Sequence, residues 1–284
     1  MVTQTVKELI YYAKIALEQA GIENFQMEAY LLIEKVTGVK KFEMPFKENE
    51  VVTPSQIELL NKFLKRRENG EPLQYILGEW EFYGLNFKVG QGVLIPRQDT
   101  ETLVDVVLEE LKGIENPCII DLCSGSGCIA ISLEKKLANS KVYAVELSME
   151  AIPYLLKNIV DNNSKVEVIN GDVLDENILS SLPMCDCIVS NPPYLTKRDM
   201  LELQKEVEFE PAMALAGGDD GLIFYRKIAK MWGKKLKQNG LIAFEIGINQ
   251  ENDVTNILEE NGYKNVSVKK DLCEINRVVF ARKS

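Results

Sequence analysis

From about residue 100 onward, short apolar runs alternate with helical patterns, and this alternation restricts the fold more than any other feature of the chain. The runs are Cys118–Leu122, Val142–Val145, Val166–Ile169, Cys185–Val189 and Leu241–Phe244. Short apolar segments without polar alternation are strands buried on both faces, and strands separated by helices pair in parallel beneath two helical layers. The chain closes with Val266–Val268 and Val278–Ala281, two strands with no helix-length spacer between them. That ending predicts a hairpin edge with one antiparallel strand.

The first 75 residues follow a different period. Val6, Leu9, Ile10, Ala13 and Leu17 keep helical spacing, as do Ala29, Leu32, Ile33 and Val36. Thr53-Pro54-Ser55-Gln56 is a helix start: a threonine N-cap, proline at the first helical position and glutamine placed to close a capping box. Ile57, Leu60, Phe63 and Leu64 then form one face, ending at Lys65–Gly70. Between Ile76 and Ile95 the period falls to two, with Trp80 and Phe82 before a Tyr83-Gly84 turn and Leu85, Phe87 and Val89 after it. The expected organisation is a helical domain at 1–75, a β-hairpin linker at 76–97 and an α/β domain at 98–284. A bundle fused to a catalytic domain is expected to dock a partner.

Composition removes several chemistries. The 284 residues include no histidine, which excludes Ser-His and Cys-His nucleophiles, histidine bases and nearly all zinc catalysis. No metal site is expected. The six cysteines, at 118, 123, 128, 185, 187 and 273, contain no Cys-x-x-Cys pair and read as reduced thiols of a cytoplasmic protein. Met1–Glu8 shows no leader pattern, and no apolar stretch approaches the roughly 18 residues of a membrane span. The net charge is −10, with ten Lys/Arg against eleven Asp/Glu in residues 1–75 and 23 against 32 in the remainder. That balance argues against a surface built to neutralise phosphates, so direct nucleic-acid binding is not expected.

Asn191-Pro192-Pro193-Tyr194 follows the apolar run at Cys187–Ser190. Neither proline has an N–H, so the local carbonyls stay free to accept, and ligands of open α/β sheets bind at the carboxyl ends of strands. An asparagine oxygen and a proline carbonyl can take both hydrogens of a planar –NH2 group while the aromatic ring packs on its face. The motif suits presentation of an amide or amino nitrogen to an electrophile.

Asp121-Leu122-Cys123-Ser124-Gly125-Ser126-Gly127 lies where the first buried strand turns into a helix. Small residues there admit a close ligand, and the helix start offers free N–H groups. Glu146 ends the next strand, 19 residues after Gly127, and can accept both hydroxyls of a ribose. Asp172 follows the third strand, placed for an adenine amino group, with Val173 beside it for the adenine face. A dinucleotide pyrophosphate disfavours Asp121 immediately before the loop. S-adenosylmethionine, carrying an ammonium and a sulfonium, tolerates acids on every side and is the better fit.

Together these residues resemble the seven-stranded, Rossmann-like methyltransferases that modify planar nitrogens with S-adenosylmethionine. Gly70–Gly78, Glu81–Leu85, Val93–Arg97 through Thr100-Glu101, Glu210-Pro211, Ala214–Gly218, Asp220-Gly221, Phe224-Tyr225, Glu245–Gly247, Asp271-Leu272 and Arg277-Val278 narrow the likeness to the HemK/PrmC family. The resemblance implies a sheet with its last strand antiparallel, preceded by a helical bundle and a hairpin linker. It also implies transfer of a methyl group to the side-chain amide nitrogen of the glutamine in the Gly-Gly-Gln motif of class 1 peptide chain release factors, by a cytoplasmic monomer. Asp121, Cys123, Ser124, Gly125, Ser126, Gly127, Glu146, Asp172, Val173 and Asn191 would hold the cofactor. Asn191, Pro192, Pro193 and Tyr194 would hold the glutamine, with Asn191, Pro192 and Tyr194 aligning it for attack. The family's first loop glycine is replaced here by Cys123. Adenine or guanine of nucleic acid, and a ribosomal-protein glutamine, are the competing substrates. Glu206–Pro211 reads either as a lid or as a solvated acidic edge, and Gly217–Gly221 as the start of a helix.

Overall fold

The computed structural model describes residues 4–284, so expectations resting on Met1, Val2 and Thr3 lie outside the described residues. Two compact units form: one from the chain up to Gly78 together with Lys205–Phe209, the other from Glu79–Gln204 and Glu210–Ser284.

The first unit holds α1 (Val6–Gln19), α2 (Phe25–Thr37), α3 (Pro54–Glu68) and the short α4 (Leu73–Leu77). Of the apolar positions read from the sequence in the first three, all are buried except Ile10, Ile57 and Phe63, which are half-buried. Thr5 and Glu8 form a capping box at α1, and Thr53 and Gln56 form the expected one at α3. Arg67, at the end of α3, is buried. Its guanidinium donates to Glu28 of α2 at 2.7 and 3.0 Å and to Glu206 at 2.6 Å. Ile76 lies in α4 rather than in a strand, because Gly78, at φ 75°, ends the helix and extended chain begins only at Glu79.

The second unit opens with a hairpin, β1 (Glu79–Phe82) and β2 (Leu85–Lys88), around Tyr83 and Gly84. Both turn residues have positive φ, 53° and 74°, as a two-residue turn matched to strand twist requires. Glu101 accepts the Tyr83 N–H at 2.7 Å and Asp105 its hydroxyl at 2.6 Å, tying the turn to α5 (Glu101–Glu110). Then follow β3 (Cys118–Leu122), α6 (Cys128–Lys136), β4 (Lys141–Glu146), α7 (Ile152–Asp161), β5 (Glu167–Asn170), β6 (Cys185–Ser190), α8 (Ile223–Trp232), β7 (Leu236–Glu245), α9 (Glu251–Glu260), β8 (Tyr263–Lys270) and β9 (Asn276–Lys283).

The sheet order is β5-β4-β3-β6-β7-β9-β8, and only β9 runs against the rest. Successive residues of each central strand feed opposite cores. Ile120, Leu122, Ile188 and Phe244 join α8 and α9 on one face, while Ile119, Cys187, Val189 and Ala243 join α5, α6 and α7 on the other. The chain leaves β3 toward β4 and β5, then returns to lay β6 along the other side of β3. The carboxyl ends of β3 and β6 therefore form the topological switch point, where a doubly wound sheet opens a crevice.

Candidate active site

A cavity of about 310 Å³ occupies that crevice, and every residue lining it belongs to the second unit. The loops after β3, β4, β5 and β6 supply Cys123–Ser126, Glu146–Ser148, Asp172–Leu174, and Asn191 with Pro193. Gly92–Arg97 and Thr100, after the hairpin, form a further wall, and Pro211, Met213, Ala214, Ala216 and Phe224 complete it.

The loop after β3 is held from behind. Ser124 N–H donates to Val145 O at 3.1 Å and its hydroxyl to Asp121 O at 2.9 Å. Glu146 latches the same loop: one carboxylate oxygen accepts Gly125 N–H and the other Ser148 N–H, both at 2.7 Å. Each oxygen keeps lone-pair capacity toward the cavity. Gly125 has φ 54° and open space where a Cβ would stand, so only glycine leaves that part of the crevice clear without strain. Gly127 differs: it lies off the cavity wall, with φ 81°, and an added Cβ would meet Leu155 Cδ1 at 2.3 Å. Its glycine serves packing against α7, not ligand approach. Cys123 lines the cavity at φ 61°, a left-handed conformation that costs a side chain about 1–2 kcal/mol and that the glycine usual at this position would adopt freely. Burial raises the Cys123 thiol well above its ordinary pKa, so it stays protonated.

Asp121 does not reach the cavity. It is 0% exposed, and neither carboxylate oxygen has a hydrogen-bond partner. Burial pushes its pKa up to about 8, with Glu146 adding to the rise. Asp172 accepts Leu174 N–H at 2.8 Å and borders the cavity beside Val173, as their positions after the third parallel strand suggested.

Asn191 and Pro193 line the cavity, whereas Pro192 between them and Tyr194 after them are not among its lining residues, so the tyrosine ring does not form the face expected for it from sequence. Asn191 Nδ2 donates to Thr100 Oγ1 at 3.4 Å. With the –NH2 end so used, Oδ1 is left as the acceptor. Pro192 O accepts no hydrogen bond among the described residues. The Tyr194 phenol is pushed up to about 12 by burial, with Glu245 adding to the rise and Arg277 opposing it. Glu245, buried at the end of β7, is raised to about 7 by burial, against the Thr100 hydroxyl and Arg277.

Asn158 and Gln250 escaped sequence reading, and Glu210, read there as part of a lid or a solvated acidic edge, is instead buried, because the partners of all three are remote in the chain. Asn158 of α7, fully buried, accepts Lys88 N–H at 2.6 Å and donates to Ser126 O at 2.9 Å, joining hairpin to loop. Glu210 accepts Ile95 N–H at 2.9 Å and pairs with Arg97, fastening two cavity walls together. Gln250 touches the backbone of Tyr194. No spacing rule reaches across such separations.

The donor set suits a cationic nucleoside. An acid with bidentate capacity and a second acid beside an apolar face both favour positive charge. Arg97 is the one basic residue among those lining the cavity, and it is paired with Glu210 rather than left for a pyrophosphate.

Residues 8–78 match the family described as the PrmC N-terminal domain, and residues 97–216 the methyltransferase small domain. A release factor glutamine methyltransferase of Thermodesulfovibrio yellowstonii is 40% identical over 264 residues, covering 90% of this chain and 92% of that protein. One from Clostridium botulinum is 39% identical over 284 residues, covering 98% and 99%. Among solved structures, the T. thermophilus 16S rRNA N2 G1207 methyltransferase, in complex with AdoMet and guanosine, superposes with a TM-score of 0.52 at 19% identity. It covers 72% of this chain and 50% of that one, a likeness of fold. With identity near 40% sustained along almost the whole length of both chains, this protein belongs to the release factor glutamine methyltransferase family.

Proposed function

We propose that the chain transfers a methyl group from S-adenosylmethionine to the side-chain amide nitrogen (N5) of the glutamine in the Gly-Gly-Gln motif of class 1 release factors. It acts as a monomer in the cytoplasm, where translation terminates. The observation that carries this reading is that Asn191 lines the cavity while its amide nitrogen donates to Thr100, which leaves its oxygen as the acceptor.

Glu146 would receive the ribose hydroxyls, Asp172 and Val173 the adenine, and Cys123–Ser126 the methionine end, while Asp121 stays buried behind the loop. When bound, the cofactor supplies an electrophilic methyl group on a cationic sulfur that leaves as a neutral thioether. An amide nitrogen is a weak nucleophile because its lone pair is delocalised into the carbonyl. Asn191 Oδ1 and Pro192 O accept its two hydrogens, fix the nitrogen in line and favour pyramidal character as attack begins. Tyr194 supports the strand end from beneath. As the N–C bond forms, one N–H proton leaves toward water, so a chain without histidine meets no obstacle. Little new charge needs stabilising; alignment is the main contribution, worth on the order of 7–11 kcal/mol.

The test is peptide mass spectrometry of a purified release factor incubated with the protein and S-adenosylmethionine. One added methyl on the Gly-Gly-Gln glutamine is expected. Label on a ribosomal protein or RNA instead would replace the substrate reading. Asn191→Ala should abolish turnover while cofactor affinity stays within about threefold of wild type. Near-wild-type turnover in that variant would remove Asn191 from the role given to it.

A further inference from the structure

The geometry points to Gln250 as a positioning residue for methyl transfer, one that fixes the downstream end of the Asn191–Tyr194 segment; the inference rests on the function proposed above. Gln250 Nε2 donates to Tyr194 O at 3.1 Å and to Gly221 O at 3.4 Å. Its Oε1 accepts Gly247 N–H at 2.9 Å. The partners on one side are carbonyl oxygens and on the other a backbone N–H, so only one amide orientation satisfies them. The Tyr225 hydroxyl also approaches Oε1, at 3.4 Å, but its single proton is better used on Glu245 O at 2.9 Å. Gln250 occupies the N-cap position of α9, yet its side chain makes no cap bond. Its Nε2 is given instead to carbonyls 29 and 56 residues away in the chain.

Three glycines make room for this clamp. A Cβ at Gly221 would lie 2.3 Å from Tyr194 O and 2.7 Å from Gln250 Nε2. One at Gly217 would lie 2.7 Å from Tyr194 Cα, and one at Gly247 2.9 Å from Gln250 Oε1 and 3.0 Å from Tyr194 Cδ2. The Gly217–Gly221 turn therefore does more than start α8, the role expected for it from sequence. Leu195 adds two backbone bonds to the same turn region, Leu195 N–H to Leu215 O at 2.9 Å and Gly217 N–H to Leu195 O at 2.8 Å.

The upstream end is anchored as well, by β6 pairing and by the Ser190 hydroxyl donating to Leu122 O at 2.6 Å. Between the anchors stand two prolines with fixed φ. A stiff segment held at both ends cannot swing its carbonyl or the Asn191 side chain away from the line of attack. If the Tyr194 clamp is released, the downstream end is held only through the Leu195 backbone bonds, and the Tyr194 carbonyl is free to rotate. Gln250 does not line the cavity, so it acts through Tyr194 and not on the substrate.

The experiment uses the full-length protein, a purified release factor and S-adenosylmethionine, with Gln250→Leu and the nearly isosteric Gln250→Glu. Both variants should lose kcat by about tenfold or more, since misplacement by an ångström can cost that much. The KM for release factor and the calorimetric Kd for cofactor should each stay within about twofold. In Gln250→Glu an ionised carboxylate would face two carbonyl oxygens, whereas its protonated form regains a donor. Its kcat relative to wild type should therefore recover as pH falls from about 8 to about 6, while that of Gln250→Leu stays low. Unchanged kcat in either folded variant, or a kcat loss matched by an equal loss of cofactor affinity, overturns the inference. If Gln250→Leu does not fold, the pH profile of Gln250→Glu decides alone. Wild-type turnover on the same release factor is the control: its absence removes the substrate reading, and this inference with it, whereas normal wild-type turnover with active variants removes this inference only.

Discussion

Asp121 shows how one residue couples the site to stability. Its carboxyl is fully buried, lacks hydrogen-bond partners and titrates at about 8, against 3.8 for an ordinary aspartate. Between those values the folded chain keeps a proton that the unfolded chain releases. The folded state therefore binds more protons, and its stability falls as pH rises from about 4 to about 8, then levels off. Glu245, raised to about 7, adds a change of the same sign. Asp121→Asn removes the first contribution. In thermal melts without cofactor, the gain in Tm of Asp121→Asn over wild type should grow between pH 5 and pH 8. A pH-independent gap would mean that Asp121 does not titrate in this range. The aspartate was legible in sequence as a strand-ending acid before a small-residue loop. That it stands behind the loop, off the cavity, was not, because strand alternation says which face a side chain takes but not how a loop folds over it.

At the scale of elements, the loop between β3 and α6 carries two glycines with opposite duties. Gly125 has positive φ with open space around it, and Gly127 has positive φ against Leu155. Gly125→Ala should lower stability by only about 1 kcal/mol, from backbone strain, while weakening cofactor binding. Gly127→Ala adds overpacking against α7 and should lose about 2–4 kcal/mol. Urea melts paired with cofactor titration separate the two; equal stability losses would contradict the packing role of Gly127. The sequence presents both residues as one small-residue motif. Their separate reasons depend on α7, which reaches the loop only through the fold. The same holds for the arginines at the end of α3: Arg67 is spent on Glu28 and Glu206, and Arg66 donates to Glu71 at 2.5 and 2.7 Å. Those commitments remove charge that a phosphate backbone would need.

For the whole molecule, the two units have separate cores, and the cavity is built within one of them. We expect removal of residues 1–78 to leave calorimetric cofactor affinity within about tenfold, since the units have independent cores. Methylation of a release factor should fall by more than about a hundredfold if the helical unit provides recognition, the order of loss that a missing anchoring contact produces. Full release-factor turnover by the shortened chain would return substrate recognition to the catalytic unit. The sequence by itself determined the order of strands and helices, the parallel sheet with one reversed strand, the helical start and the hairpin. Those follow from hydrophobic period, caps and turn residues, all local in the chain. It also placed the acids and Asn191 at strand ends, where any doubly wound sheet gathers its ligands. Only the tertiary structure decided that Thr100 orients Asn191, that Asn158 ties the loop to the hairpin, that Glu210 joins two cavity walls and that Gln250 holds Tyr194. Each of these is a hydrogen bond between groups 56 to 115 residues apart in the chain, apart from Asn158, which spans 32 to Ser126 and 70 to Lys88. Periodicity carries no information across such distances, because the partners become neighbours only when the sheet has formed.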